Sequence, residues 1–214
     1  LPDRDNCAFW LTHFPPDVTY KEVFDQIRNC GRIHEVHINN HEADNTRGAA
    51  AKVVFFDRQG ANRFFLQHVL DPQRGGGAGR MSVRGWTVRC VRNRVRLIHR
   101  EYLPADHTRV IRITGPRDDV NYERMIGHIS ALCHFDLEDA IMFHHPRATN
   151  LGDIEFRFAR YDAQALVVWL SFNRDPYWQG TNPPITARFM PDPCDVQPLQ
   201  NPAPAPQAQL NLTN

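Results

Sequence analysis

The sequence lacks the marks of membrane and disulfide-bonded proteins. Among its 214 residues, no apolar run approaches the ~20 residues that span a bilayer. The opening segment, Leu1 to Asp5, is charged, has no signal-peptide core and lacks an initiator Met, so we expect a fragment of a longer protein. The five cysteines are widely spaced, odd in number and without a Cys-x-x-Cys pair. We therefore expect reduced thiols in an intracellular protein, either nuclear or cytoplasmic.

Motifs of catalysis and metal binding are missing as well. The chain contains no Gly-x-Ser-x-Gly or His-Glu-x-x-His motif, and the glycine-rich stretch from Gly75 to Gly79 is not followed by the Gly-Lys-Ser/Thr of a P-loop. His34 and His37 are three residues apart on a predicted strand, so they would point to opposite faces of the sheet. We expect no enzyme activity, no metal and no cofactor.

Lysine is scarce, and arginine supplies nearly all the positive charge. Of the 25 cations only Lys21 and Lys52 are lysines. The net charge of +1 divides into +5 for residues 1–105 (16 cations, 11 anions) and −4 for residues 106–214 (9 cations, 13 anions). From Arg74 to Arg100 there are eight arginines and no acid, a pattern typical of a surface that binds a polyanion. The alternative is a solvated basic strand and linker, balanced by the acidic second half.

The apolar pattern of the first half predicts the element order βαββαβ. Asp17 or Thr19 offers an N-cap for the first helix, Glu22 forms a capping box with Thr19, and the helix ends at Gly31. Strands are predicted at 8–14, 33–38, 49–56 and 86–91, and the second helix at 59–69.

The same order recurs about a hundred residues later, which indicates a tandem repeat. Strands are predicted at 110–114, 137–143, 154–158 and 185–190, and helices at 122–132 and 163–172. Beyond Pro191 the chain is rich in Pro, Gln, Asn and Ala, which predicts a disordered or extended tail. The predicted organisation is a first domain at 1–98, a linker at 99–107, a second domain at 108–194 and a tail at 195–214.

Three segments of the first unit resemble the RNA recognition motif (RRM) family. Phe9–Pro15 is similar to its RNP2 strand, Gly31–Ile38 to its helix end and second strand, and Arg47–Asp57 to its RNP1 segment. Phe55–Ala61 is also similar to Mei2-type fungal RRM proteins. The resemblance implies an α+β protein of two tandem ferredoxin-like βαββαβ domains, each a four-stranded antiparallel sheet with two helices on one face. It also implies single-stranded RNA binding on the open sheet face. Over residues 107–194 the resemblance rests mainly on topology.

Strand parity predicts which side chains face outward. If Phe9 and Leu11 enter the core, Trp10 occupies the family's stacking position on the open face. The RNP1 positions that carry aromatics in the family hold Ala50 and Lys52, a departure that leaves one stacking platform. Consecutive phenylalanines at 55 and 56 leave the register of the third strand open.

We predict that Trp10 stacks on one base, that Lys52 and Arg89 hold phosphates or base edges, and that the arginines after the last strand extend the track. The alternative for Trp10 is burial at a domain contact. The full set of predicted RNA-binding residues is Trp10, Thr12, His37, Asn39, Lys52, Arg89, Arg92, Arg94 and Arg96.

The second unit departs further from the family. Its first strand would present Val110 and Arg112 outward, so nothing aromatic stands at the stacking position. Acidic side chains in this unit would repel phosphate; they are Asp136, Glu138, Asp139, Asp153 and Glu155. The helix at 163–172 is apolar on nearly every side, so the first unit, the tail or another protein must cover it. We predict a pseudo-RRM that makes protein contacts through Leu166, Trp169, Leu170 and Phe172.

Two functions of different classes follow from these patterns. The first is an RNA-binding protein that holds single-stranded RNA, or single-stranded DNA by the same stacking physics, on its first domain. In that case the second domain serves protein–protein or interdomain contact. The alternative is a non-catalytic interaction scaffold of two pseudo-RRMs without nucleic-acid binding, favoured by the missing RNP1 aromatics and the near-zero net charge.

Overall fold

Each half of the chain folds as an antiparallel sheet with helices on one face, which confirms the predicted α+β class. The computed structural model describes residues 2, 5–39, 48–68, 81–98, 103–143 and 150–196. The predicted glycine-rich loop, the linker residues 99–102 and the tail from 197 lie outside these ranges. So do His41 and the arginines at 74, 80 and 100.

The first unit is a five-stranded sheet with the order β2-β3-β1-β5-β4. Its elements are β1 (Ala8–Phe14), α1 (Tyr20–Asp25), β2 (Ile33–Asn39), β3 (Ala49–Phe55), α2 (Arg58–His68), β4 (Met81–Val83) and β5 (Trp86–Arg92). The sequence predicts four strands in this unit, and the structure adds a fifth, β4. It pairs with β5 through a two-residue turn, Arg84-Gly85, in which both residues have positive φ (49° and 83°), as tight hairpins require.

Helix α1 begins where the capping box predicts. The Thr19 side chain accepts a hydrogen bond from the Glu22 backbone N–H, and the Glu22 carboxylate accepts one from the Thr19 backbone N–H at 2.9 Å. The helix ends at Asp25, earlier than its apolar spacing suggests, and continues as turns through Asn29 at φ 58°. Ile27 and Cys30 are nevertheless fully buried, so the apolar pattern correctly predicted burial beyond the helix.

Loss of this cap gives the first testable prediction. Replacing Thr19 with alanine leaves the backbone N–H of Glu22 without its side-chain acceptor, so we expect the free energy of unfolding to fall by about 1 kcal/mol. Chemical denaturation of the purified chain measures the change. Thr19→Asn can still accept the bond and should recover most of the loss; equal stability of the alanine variant and the unmodified chain would contradict the prediction.

The second unit repeats the first as a four-stranded sheet, β7-β8-β6-β9. Its strands are β6 (Val110–Pro116), β7 (Leu137–Met142), β8 (Leu151–Phe158) and β9 (Thr186–Phe189). Its helices are α3 (Tyr122–Leu132), a π-helical turn (Tyr161–Ala165) that leads into α4 (Leu166–Arg174), and the short α5 (Pro176–Gln179). The order β7-β8-β6-β9 matches β2-β3-β1-β5, which confirms the repeat.

The apolar helix α4 is covered from within its own unit. Phe172 is fully buried and packs 5.1 Å from Trp178 of α5, while Trp169 stacks on Phe189 of β9 at 5.4 Å between ring centroids. The prediction that Phe172 contacts a partner protein is therefore wrong: the unpredicted helix α5 occupies that face. Leu166 and Leu170 remain partly exposed.

The two units are joined by a buried charge network around Arg109, a fully buried side chain just before β6. Its guanidinium donates to Asp192 at 2.9 and 3.2 Å, pairs with Glu138 at 2.6 Å and lies 3.7 Å from the ring centroid of Phe24 in α1. Arg28, in the turns that follow α1, pairs with the same Glu138. Glu138, one of the acidic residues predicted to repel phosphate, therefore helps to hold the two units together.

The segment after β9 returns to the first unit. Asp192 accepts a hydrogen bond from the Ile33 backbone N–H at 2.8 Å, and the Cys194 carbonyl accepts one from Gly31 at 2.9 Å. Cys194 is fully buried and belongs to the hydrophobic core of the first unit. The composition after Pro191 predicts an extended linker, but residues 192–194 are an ordered part of the junction between the units.

Candidate nucleic-acid interface

The open face of the first sheet carries the residues that strand parity predicts. Phe9 and Leu11 are fully buried in the core, and Trp10 lies on the opposite face, partly exposed. Trp10 is opposite Lys52 of β3 and Val91 of β5, and Lys52 is opposite His37 of β2. These four side chains form one row across the sheet.

A second row lies beside the first. Thr12 is opposite Ala50 and Arg89, and Ala50 is opposite Asn39. Arg89 and His37 are exposed, Thr12 and Asn39 partly exposed, and Ala50 buried. Trp10 is the only Phe, Tyr or Trp among the outward-facing residues of these four strands. The structure therefore brings together one stacking platform and a set of polar side chains.

A groove of about 780 Å³ lies directly beside Trp10. Its lining residues come from β1, from β5 and from the chain that follows β5: Trp10, Thr12, Arg89, Val91, Arg92, Asn93, Arg94 and Val95. Three of these are arginines and none is a carboxylate, so the groove has a positive potential suited to phosphate. All of these lining residues belong to the first unit, and Trp10 is partly exposed among them.

The arginines of the basic stretch differ in their contacts. Arg89 and Arg94 are exposed, with no ion pair to another described residue, and Arg96 is also exposed. Arg84 instead pairs with Asp17 and Glu22, each at 2.9 Å. The side-chain N–H groups of Arg89 and Arg94 are thus available to a ligand on the open side of the sheet.

Arg92, one of the predicted RNA-binding residues, is held differently from Arg89 and Arg94. Its guanidinium donates to the Asn6 carbonyl at 2.6 Å and lies over the Phe65 ring of α2 at 4.3 Å. Residue 92 has the parity of the inward-facing Val88 and Cys90, so its side chain reaches the helix side of the sheet. Arg92 lines the groove beside Trp10, but these contacts with Asn6 and Phe65 hold its guanidinium against the core.

Asn6 is a functional candidate that sequence reasoning missed. Its fully buried side chain donates to the Asn93 carbonyl at 2.9 Å and accepts from the N–H groups of Ala8 at 3.0 Å and Leu97 at 3.1 Å. These bonds hold the turn of residues 93–97 against the start of β1 and place Arg94 at the rim of the groove. An asparagine directly before a strand was the only signal in the sequence.

Lys52 is paired rather than free. Its ammonium group lies 3.1 Å from the carboxylate of Glu35, an outward-facing residue of β2 that is only 8% exposed. The other oxygen of Glu35 is 3.9 Å from Arg160 of the second unit. The ion pair cancels much of the positive charge that we predicted for the middle of the sheet.

The open face of the second sheet is neutralised by its own ion pairs. Arg112 lies 3.6 Å from Asp153 and 3.3 Å from Glu155, and Glu155 also accepts a hydrogen bond from Arg157 at 2.9 Å. The Arg112 guanidinium is stacked 3.8 Å from the centroid of the Phe143 ring, which leaves that side of the ring covered. The outward positions of β6 hold no aromatic residue, as predicted.

The remaining chemistry-bearing groups are structural. All five cysteines are free, and burial raises the pKa of Cys7 and Cys30 to about 11 and that of Cys90 to about 12, so these thiols stay protonated near neutral pH. Within the described ranges, no three His, Cys, Asp or Glu residues are grouped to hold a metal ion. Over the same ranges, no helix has the length and apolar character needed to cross a membrane.

No family model and no curated protein sequence matches the chain. Similar solved structures include RNA recognition domains 1 and 2 of Sex-lethal from Drosophila melanogaster, at 13% identity and a TM-score of 0.30, with 86% of this chain and 100% of that chain covered. The first two RRM domains of the yeast poly(U)-binding protein Pub1 match at 11% identity and 0.32, covering 86% and 99%. The C. elegans NONO-1 homodimer matches at 14% and 0.35, covering 96% and 70%.

These likenesses have low identities and TM-scores, so we base the fold on the strand order and register of the chain itself. The similarity of residues 55–61 to Mei2-type proteins stays a prediction. Two tandem βαββαβ units with the same sheet order, the ferredoxin-like arrangement, make up the described chain.

Proposed function

We propose that this chain is an RNA-binding protein of two RRM-like units, in which the first unit binds single-stranded RNA. The observation that carries the proposal is the groove beside Trp10, where one partly exposed indole lies next to Arg89 and Arg94 and no carboxylate. An indole offers a flat surface on which any base can stack, and guanidinium groups bind phosphate in a bidentate manner. A site of this kind holds unpaired nucleotides in preference to a duplex, whose bases are stacked on one another.

The second unit has a different role in this proposal. It holds the first unit through Arg109, Glu138 and Asp192, and its own sheet face offers neither an exposed stacking ring nor unpaired positive charge at Arg112. Its partly exposed residues Leu166 and Leu170 remain candidates for contact with another protein. Nothing in the proposal requires catalysis, a metal or a cofactor.

A salt titration tests the proposed function. The logarithm of the binding constant for a fluorescein-labelled single-stranded oligouridylate should fall linearly with the logarithm of salt concentration, by about 0.7 for each phosphate contacted. Replacing both Arg89 and Arg94 with glutamine should make the slope shallower by about 1.4, because two contacts are lost. Fluorescence anisotropy gives both slopes.

Arg188 provides the matched control. It is an exposed arginine on β9, the strand of the second sheet that corresponds to β5, so Arg188→Gln should leave the slope unchanged. If the salt slope falls as much in Arg188→Gln as in the Arg89 and Arg94 double variant, RNA binding would depend only on the overall charge of the protein.

A protein-interaction scaffold is the second candidate. The observations that favour it are the Lys52–Glu35 ion pair and the neutralised second sheet, which reduce the surface available to RNA. Absence of binding to the oligouridylate at low salt, together with recovery of a specific protein partner by the same chain, would support the scaffold instead. Equal affinity for the matching DNA oligonucleotide would extend the site to single-stranded nucleic acid in general.

A further inference from the structure

We infer that the first unit holds only about two to three nucleotides, on the β1–β5 half of its sheet, and that Glu35 and the second unit close the β2–β3 half to RNA. This inference rests on the proposed function and adds the length and position of the bound segment. It follows from the distribution of charge, exposed surface and strand edges across one sheet.

Charge divides the open face into two halves. On the β1–β5 side, the groove beside Trp10 is lined by Arg89 and Arg94 and by no carboxylate. On the β2–β3 side, the one lysine is paired with Glu35 at 3.1 Å, so a phosphate there would have to compete with a carboxylate already in contact. A phosphate is attracted by the arginines on the β1–β5 side. On the β2–β3 side the negative charge of Glu35 offsets the attraction of Lys52.

The shape of the surface divides in the same way. Ala50 and Val54 of β3 are only 4% and 2% exposed, so β3 offers no side chain on which a second base could stack. A nucleotide laid across β3 would lose conformational freedom without gaining a stacking contact or a free cation in return. The binding surface therefore ends at Trp10 on this side.

The second unit closes the outer edge of β2. The backbone N–H of Val36 donates to the Ala159 carbonyl at 2.8 Å, and Glu35 forms a β-bridge with Arg160. Just beyond this edge lies a small cleft of about 240 Å³ whose lining includes the carboxylates of Glu35 and Asp136 and the guanidinium of Arg160. RNA that crossed the sheet from Trp10 toward His37 would run into this junction, where the charges already face one another.

The length of the bound segment can be measured with the full chain. Anisotropy titrations with labelled oligouridylates of increasing length should show affinity rising up to about three nucleotides and then staying within about twofold. The only further gain should be the one expected from overlapping registers on a longer probe. The salt slope for a longer oligonucleotide should be no steeper than about −2, because Arg89, Arg94 and Arg96 are the exposed arginines of the track. Affinity that keeps rising about tenfold or more between four and eight nucleotides would overturn the inference while leaving RNA binding intact.

Two variants locate the segment. Lys52→Met should change the affinity for an eight-nucleotide probe by less than about twofold, since Lys52 makes no phosphate contact in this arrangement. Glu35→Gln removes the opposing charge and releases Lys52, so it should strengthen binding of the eight-nucleotide probe about threefold or more and leave a three-nucleotide probe nearly unchanged. A clear loss of affinity with Lys52→Met would place RNA across the whole sheet. Equal effects of Glu35→Gln on the two probes would show that Glu35 does not close the β2–β3 half, and either result would overturn the inference. Circular dichroism confirms the folding of each variant, and the length series on the unmodified chain tests the inference without any substitution.

Discussion

Replacing Arg109 with methionine is expected to lower the free energy of unfolding by about 3–5 kcal/mol, the typical cost of removing one partner from a buried ion pair. Arg109 and Asp192 are both fully buried, and Glu138 is 6% exposed. Without the guanidinium, two carboxylates remain close together in an apolar environment with only Arg28 to balance them. Urea denaturation of the full chain measures the loss.

An exposed pair provides the control for this prediction. Lys21 and Asp25 form an i,i+4 ion pair on α1 with more than half of the lysine side chain exposed, so Lys21→Met should cost less than about 0.5 kcal/mol. Similar losses from both substitutions would show that the Arg109 network contributes no more than a surface contact.

Hydrogen exchange distinguishes damage at the junction from general weakening. The backbone N–H groups of Ile33 and Gly31 bind to Asp192 and to the Cys194 carbonyl, so they should lose protection first in Arg109→Met. The N–H groups of β1, a strand that pairs with β3 and β5 inside the first sheet, should change less. Uniform loss of protection across both sheets would contradict a local role for the network.

Replacing Trp10 with alanine is expected to weaken single-stranded RNA binding by about 1–3 kcal/mol, or ~5- to 150-fold in the dissociation constant. The substitution removes the only Phe, Tyr or Trp ring on the outward-facing positions of β1, β2, β3 and β5, while Arg89 and Arg94 remain. Isothermal titration with a short oligouridylate measures the effect. Because the lost term is stacking and not charge, the salt slope should stay the same.

Trp86 is the matched control for Trp10. It is 39% exposed at the start of β5, but its parity is that of the inward-facing Val88, so it lies outside the groove. Trp86→Ala should bind RNA as the unmodified chain does, and Trp10→Tyr should retain most of the affinity. If Trp10→Ala binds RNA as tightly as the unmodified chain, Trp10 is not a stacking site and the interaction scaffold becomes the better explanation.

Local sequence patterns predicted most of the fold. The capping box at Thr19 and Glu22, the alternation of apolar residues along β1 and β8, and the repeated βαββαβ order all depend on residues close together in the chain. Parity along β1 was enough to place Trp10 on the open face, because side chains alternate strictly between the two faces of a strand. The same rule gives Arg92 the parity of Cys90, so its side chain reaches the helix side of the sheet, whereas the arginine run by itself predicts that Arg92 extends the RNA track beyond the last strand.

Other parts of the site depended on residues far apart in the sequence. Glu35 and Lys52 are 17 residues apart, and Asn6 and Asn93 are 87 apart, so no local pattern links them. Phe172 was predicted to need an outside partner because α4 is apolar all round, but α5 supplies the cover through Trp178.

By itself, the sequence determined the element order, the faces of the strands and the outward position of the Trp10 indole, because these follow from side-chain periodicity. Only the tertiary structure decided which charges are free. Arg89 remains available to a phosphate, Lys52 is neutralised by Glu35, and Arg109 is enclosed by carboxylates, although all three are basic residues in the same chain. The physical reason is that electrostatic availability depends on distance and burial in three dimensions, and folding sets both through contacts between residues that are remote in sequence.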